Sequence, residues 1–136
     1  MKNLKFLYRV TSGKGFILFE NFDKLLVWQR AHLLVLKIYE VTNSFPKEEI
    51  WGLTSQIRRS AVSVPSNIVE GKARGSRKDF KRFLLVARGS LEEVKYQSLL
   101  AKELKYMNDE QYEEITVMIE DVGRLLGGMI RKNSGG

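Results

Sequence analysis

The stretch "LTSQIRRSAVSVPSNIVEGKARGS" (residues 53–76) decides the fold, because an apolar stripe with helical spacing runs through it and past a proline. The stripe starts just before the stretch, and its members follow one another at steps of three or four residues: Ile50, Leu53, Ile57, Ala61, Val64 and Ile68. This spacing is typical of a helix that packs along a bundle seam. Val64 and Ile68 keep the phase on both sides of Pro65, so the helix, predicted over residues 47–70, is expected to bend there and not to end. Gly71 is the expected C-terminal stop.

Three further segments have the same amphipathic character, over residues 24–44, 76–106 and 108–132. Ser76 followed by Asp79, and Asn108 followed by Gln111, have the spacing of helix N-terminal caps. Gly89, inside the third segment, is interpreted as a place where another helix approaches closely. No strand pattern competes after residue 24. The sequence therefore predicts an all-α fold, an antiparallel up-down four-helix bundle with a kinked second helix.

The domain organisation follows from the length of 136 residues, which predicts one domain. We assign residues 1–21 to an N-terminal extension whose order is left open, residues 22–132 to the bundle, and residues 133–136 to a flexible tail. No apolar run reaches the ~18 residues of a membrane-spanning helix, so no membrane partner is expected. Cysteine is absent, and a cytoplasmic location is the default expectation.

The first predicted helix has an apolar face wide enough for two buried sides. One side is expected to face the core of the bundle, and the other is expected to face a second copy of the chain. The residues assigned to this oligomer contact are Leu25, Trp28, Leu33 and Leu36.

Charge is distributed unevenly in this basic chain, whose net charge is +7. Between residues 70 and 88 there are seven basic side chains and only two acidic ones, Glu70 and Asp79. The fourth segment, in contrast, is mainly acidic. A basic strip of this kind suits nucleic-acid phosphates; a solvated helix face is the alternative. The side chains predicted to contact phosphates are Arg58, Arg59, Lys72, Arg74, Arg77, Lys78, Lys81, Arg82 and Arg88.

Catalytic groups are not assembled by the sequence, and we expect neither enzymatic activity nor a metal or other cofactor. His32 is the only histidine and has no evident nucleophile partner. The segment "GKARGS" lacks the order of a phosphate-binding loop. Asn67 and Glu70 are interpreted as structural groups that serve the proline kink or a subunit contact. Aromatic stacking platforms are not evident near the basic stretch, so base readout is not expected.

Three stretches carry a family resemblance: "VWQRA" (27–31), "GLTSQIRRSAVSVPSNIVEGKARGS" (52–76) and "FLLVARGSLEEVK" (83–95). Over residues 22–131 the chain resembles the four-helix-bundle proteins encoded in intervening sequences of bacterial 23S rRNA genes, also called S23 ribosomal proteins. The accessory variability determinant of diversity-generating retroelements is a relative of the same type. The family motif maps onto Gln56, Ile57, Arg58, Arg59, Pro65, Ser66, Asn67, Ile68, Val69, Glu70, Gly71, Arg74 and Gly75; Ser60 and Val69 replace the alanines usual in the family.

The resemblance implies an antiparallel four-helix bundle that assembles into a homopentamer with a basic surface and binds nucleic acid without catalysis. In the retroelement relatives it implies partnership with a reverse transcriptase. Two functions are therefore weighed. The first is a nucleic-acid-binding oligomer that contacts the RNA or DNA backbone, with RNA favoured. The alternative is a protein-interaction scaffold whose basic surface docks an acidic protein such as a reverse transcriptase.

Overall fold

The computed structural model describes residues 25–135, and these form four helices. They are α1 (Leu26–Thr42), α2 (Leu53–Ala73), α3 (Arg77–Glu103) and α4 (Asp109–Lys132), with a short 3₁₀ helix (Lys47–Glu49) ahead of α2. Each helix packs against the next, and α1 packs against α4, which closes the bundle. The described residues contain no strand, and the predicted all-α four-helix bundle is confirmed. The extension predicted for residues 1–21 lies outside the described residues.

Helix α2 continues through Pro65, as the stripe predicted. The stripe residues inside α2 are buried on both sides of the proline: Leu53, Ile57, Ala61, Val64 and Ile68. The size of the bend at Pro65 stays a prediction. The assignment of Ile50 to the same stripe is wrong, because Ile50 lies in the turn before α2 begins and is 46% exposed.

The two glycine assignments are wrong, because neither residue has the predicted role. Helix α2 continues past Gly71 to Ala73, and the turn is made at Gly75, whose φ of +81° favours glycine. Gly71 is buried instead where α2 meets α3, and a Cβ added there would lie 2.7 Å from Cβ of Phe83. Gly89 is exposed, and its missing side chain would meet no atom within 4 Å. The close helix approach is therefore at Gly71.

The predicted helix caps are confirmed. The Ser76 hydroxyl accepts a hydrogen bond from the Asp79 backbone N–H at 3.1 Å. Asn108 and Gln111 form a reciprocal capping box, in which each side chain accepts from the other residue's backbone N–H, at 2.7 and 3.0 Å. These caps satisfy backbone donors that have no partner within the helix. They fix where α3 and α4 begin.

One contiguous apolar core fills the space between the four helices. Each helix contributes side chains that are fully removed from solvent, including Leu34, Ile57, Leu84 and Leu126. The contact between α2 and α3 is the most extensive in the bundle. Most of the predicted phosphate-binding residues lie around the connection between these two helices, so the packing of α2 against α3 positions the candidate site.

Candidate nucleic-acid interface

The nine predicted phosphate-binding residues do not form one surface. Six of them surround the connection between α2 and α3, and we call this group the basic turn: Lys72, Arg74, Arg77, Lys78, Lys81 and Arg82. Arg58 and Arg59 lie near the other end of α2, about 21 Å from Lys72 at 1.5 Å per residue. Arg88 is exposed on α3, about 9 Å beyond Arg82 along the axis. Arg58 and Arg59 are thus separate from the basic turn, and the assignment of all nine residues to phosphate binding stays a prediction.

Three local features build the basic turn. The absence of a side chain at Gly71 lets the end of α2 lie against Phe83 and Phe80 of α3. Gly75 reverses the chain in the left-handed region. Ser76 then caps α3, so the helix begins at once. As a result, the last turn of α2 and the first turns of α3 present their basic side chains at the same end of the bundle.

Acidic side chains compensate the basic turn only in part. Glu70 pairs with Arg74, with 2.9 Å between carboxylate and guanidinium, and Asp79 approaches Arg82 at 3.7 Å. Among the described residues, no carboxylate pairs with the remaining four cations, which are Lys72, Arg77, Lys78 and Lys81. The positive end of the α3 dipole lies at the same place. The basic turn therefore keeps a local positive charge that is available to an anionic ligand.

Aromatic rings order some of these cations. The guanidinium groups of Arg74 and Arg82 both lie over the ring of Phe83, at 5.1 and 4.5 Å from its centroid. The Lys72 ammonium lies 5.8 Å from the centroid of Phe80. Cations over aromatic faces are attracted by the ring quadrupole. Phe83 thus serves the protein's own arginines.

Lys132 also belongs to this end of the bundle, although sequence reasoning did not include it. Arg77 donates a hydrogen bond of 2.5 Å to the Lys132 carbonyl oxygen, which joins the start of α3 to the end of α4. Lys72, Arg77 and Lys132 line the same cavity of about 350 Å³. The position of Lys132 could have been predicted from the topology, because an up-down bundle brings the end of its fourth helix beside the end of its second.

Comparison with known proteins places the chain in a family. The model of the 23S rRNA-intervening sequence protein family matches residues 23–128. The chain belongs to this family. A crystal structure of an S23 ribosomal protein family member of unknown function from Bacteroides thetaiotaomicron is 27% identical in sequence. The match covers 77% of this chain and 98% of that one, with a TM-score of 0.69. No curated protein matches the chain.

The family motif residues of the chain lie on α2 and in the turn that follows it. The Asn67 amide donates to the Ser63 carbonyl and hydroxyl oxygens, at 2.8 and 3.0 Å. The Ser63 hydroxyl in turn lies 2.8 Å from the Ser90 hydroxyl of α3. Pro65 is buried beside this polar cluster, whereas Gln56 and Ser66 are exposed. Asn67 therefore bonds within α2 and supports Ser63, whose hydroxyl makes the contact with α3.

The residues predicted for an oligomer contact have different environments. Leu33 is only 7% exposed within the single chain, and Leu25 and Trp28 are partly buried against the core. Leu36, at 38% exposure, is the member of the set that is open to solvent. The contact itself stays a prediction, and within a single chain Leu36 is the best placed of the four to take part in it.

The residues considered for catalysis or metal binding can be located in the described part of the chain. His32 is half-buried and stacks on Trp28, with ring centroids 5.1 Å apart and planes 4° from parallel. Across residues 25–135, no group of three or more His, Asp or Glu side chains is arranged to hold a metal ion. None of the described helices is long and apolar enough to cross a membrane.

The stability of the fold is expected to fall as the pH drops below about 6.5, because burial lowers the pKa of His32 from its ordinary value of 6.5. The folded pKa is the lower one, so the unfolded chain binds the proton more readily. The stabilising contribution is complete above the unfolded pKa and is lost as the pH falls toward the folded pKa. Since His32 is the only histidine, one NMR imidazole signal reports it, and its midpoint should lie below 6.5.

The control for this prediction is His32→Gln, which should flatten the pH dependence of unfolding between about pH 5 and 7, where histidine is the side chain that ordinarily titrates. A midpoint at or above 6.5 would contradict the burial of the imidazole against Trp28.

Proposed function

We propose that this chain is a non-catalytic nucleic-acid-binding protein that contacts phosphates through the basic turn. The observation that carries the proposal is the group of four cations that have no carboxylate partner among the described residues and lie around the end of α2 and the start of α3. Phosphate contacts of this kind supply affinity with little dependence on base sequence. RNA is the proposed ligand, in keeping with a family whose name refers to 23S rRNA intervening sequences.

The binding form is proposed to be a homo-oligomer, and a homopentamer is the assembly that the family resemblance implies. Self-association would place several basic turns on one particle. Each turn is a weak site, but linked sites reach a higher avidity than any one of them. The proposal therefore requires the mass in solution to be recorded with every binding measurement.

The double charge reversal Lys78→Glu with Lys81→Glu is expected to weaken RNA binding by about tenfold or more near 0.1 M salt, because two phosphate contacts become repulsive. The slope of log affinity against log salt should fall by about 1 to 2. Binding of labelled RNA to purified, nuclease-treated protein across a salt series measures both effects. The matched control is Lys95→Glu with Lys105→Glu, the same change of charge at exposed positions away from the basic turn.

Equal loss in the two double variants would show a nonspecific effect of net charge and would remove the basic turn as the site. Absence of binding by the unaltered protein at low salt would contradict the proposal as a whole. Pull-down of a partner that survives nuclease treatment and is lost in the Lys78, Lys81 variant would instead favour the scaffold function, with an acidic protein such as a reverse transcriptase on the same surface.

A further inference from the structure

An open groove lies near the end of α2 opposite the basic turn. Trp51 stands at its edge and is 89% exposed, the highest exposure of any large apolar side chain described. The groove has a volume of about 550 Å³, and Tyr39, Ile50 and Val62 contribute further apolar surface to it. Within residues 25–135, neither another ring nor a cation stacks on the Trp51 indole, so its faces are open.

Two arginines line the same groove, and one of them is held in place from several sides. The Arg58 Nε–H donates to the Thr42 hydroxyl at 2.8 Å, and an Nη2–H donates to the Asn43 side-chain oxygen at 3.3 Å. Its guanidinium carbon lies 4.6 Å from the centroid of Tyr39. All these partners are neutral. The position of the charge is therefore fixed, while the charge itself is not neutralised.

Arg59 also has no anionic partner among residues 25–135, and its Nε–H donates to the Ser55 hydroxyl at 3.3 Å. Carboxylates pair with four other arginines of the described chain: Arg30, Arg74, Arg82 and Arg124. The nearby carboxylate of Glu49 is already engaged, because it accepts from the Tyr106 hydroxyl at 2.9 Å and the Leu53 backbone N–H at 3.0 Å. The groove thus combines an open aromatic face with two positive charges that pair with no acidic side chain in the described part of the chain.

This combination matches the chemistry of a single-stranded nucleic acid, which offers unstacked base faces and phosphates on one chain. We propose that the groove binds a single-stranded segment, with a base stacked on Trp51 and an adjoining phosphate at Arg58 and Arg59. The inference rests on the proposed nucleic-acid function and adds a second contact, about 21 Å along α2 from the basic turn. The interior bases of a duplex are already stacked on their neighbours, so they do not offer the free face that a contact with Trp51 requires.

The test compares Trp51→Ala with the unaltered full chain, using labelled 12-nucleotide uridine and thymidine homopolymers and a 12-base-pair duplex at one salt concentration. Loss of a stacked base should lower the affinity for single strands by about 5- to 100-fold and leave the affinity for duplex unchanged. Trp51→Phe should retain most of the affinity. Tyr96→Ala, at a 63% exposed aromatic residue of α3 outside the groove, should change nothing. The two homopolymers distinguish RNA from DNA as the source of the strand.

Several results would overturn the inference and leave the assignment of the basic turn as a binding site unchanged. One is single-strand affinity that survives Trp51→Ala while Lys78→Glu with Lys81→Glu still weakens binding. Another is a smaller mass in solution for Trp51→Ala, which would place Trp51 between copies of the chain. Equal losses for single strand and duplex would also remove the stacking role. Failure of the unaltered protein to bind any of the three probes would overturn both the inference and the proposed function.

Discussion

Ile68→Ala is expected to lower the free energy of unfolding by about 2–5 kcal/mol, the cost of removing a large aliphatic side chain from a packed core. Ile68 has no exposed surface and lies one turn beyond Pro65 in α2. The matched control is Val62→Ala, one turn before the proline on the solvent side, where 38% of the residue is exposed. The control should change stability by no more than about 0.5 kcal/mol.

Urea unfolding of both variants at a fixed protein concentration measures the difference, and the concentration matters because self-association adds to apparent stability. Similar small effects at the two positions would show that α2 does not keep its packing phase past the proline. A large effect at Ile68 alone establishes that the helix continues as a core element despite the hydrogen bond that Pro65 cannot donate.

The helices and their caps could be predicted because they depend on local pattern. A stripe with a period near 3.6 has one buried face whatever its partner is, and Ser76 and Asn108 accept hydrogen bonds from their own helices. The errors arose where tertiary contacts decide. Ile50 has the correct spacing, but the chain turns before α2 begins, so the residue points away from the seam. The sequence of a single helix does not show whether Gly71 or Gly89 lies against a neighbouring helix.

The charge of the candidate site could be predicted from the sequence, but the positions of its side chains could not. Counting basic residues identified the stretch from Lys72 to Arg88, but axial distance along a helix separates Arg58 and Arg59 from it. The pairing of Arg74 and Arg82 with acidic neighbours depends on side-chain positions. Trp51 was missed because an aromatic residue beside a predicted seam is usually buried. Its exposure follows from the turn between the 3₁₀ helix and α2, which the apolar pattern does not encode.

Alanine substitutions at Gly71 and at Gly89 are expected to change the free energy of unfolding in opposite directions, although the two positions look alike in sequence. Gly71→Ala is expected to lower the free energy of unfolding by about 1–3 kcal/mol, because the new Cβ would lie 2.7 Å from Cβ of Phe83 and 3.4 Å from the Phe80 carbonyl oxygen. Neither atom can rotate away, since the first is attached to the backbone and the second belongs to it. The packed helices α2 and α3 would have to separate.

Gly89→Ala is the matched control and is expected to raise stability by about 0.5–1 kcal/mol, since it adds a better helix former where no atom lies within 4 Å. At about 3–4 °C per kcal/mol for a chain of this length, thermal unfolding should separate the two variants clearly. Stabilisation by both substitutions would mean that α2 and α3 are not in close contact at Gly71. Gly71→Ala is also expected to bind RNA more weakly at equal folded concentration. The contact between α2 and α3 at Gly71 holds Lys72 and Arg74 beside the start of α3, and the substitution would disturb it.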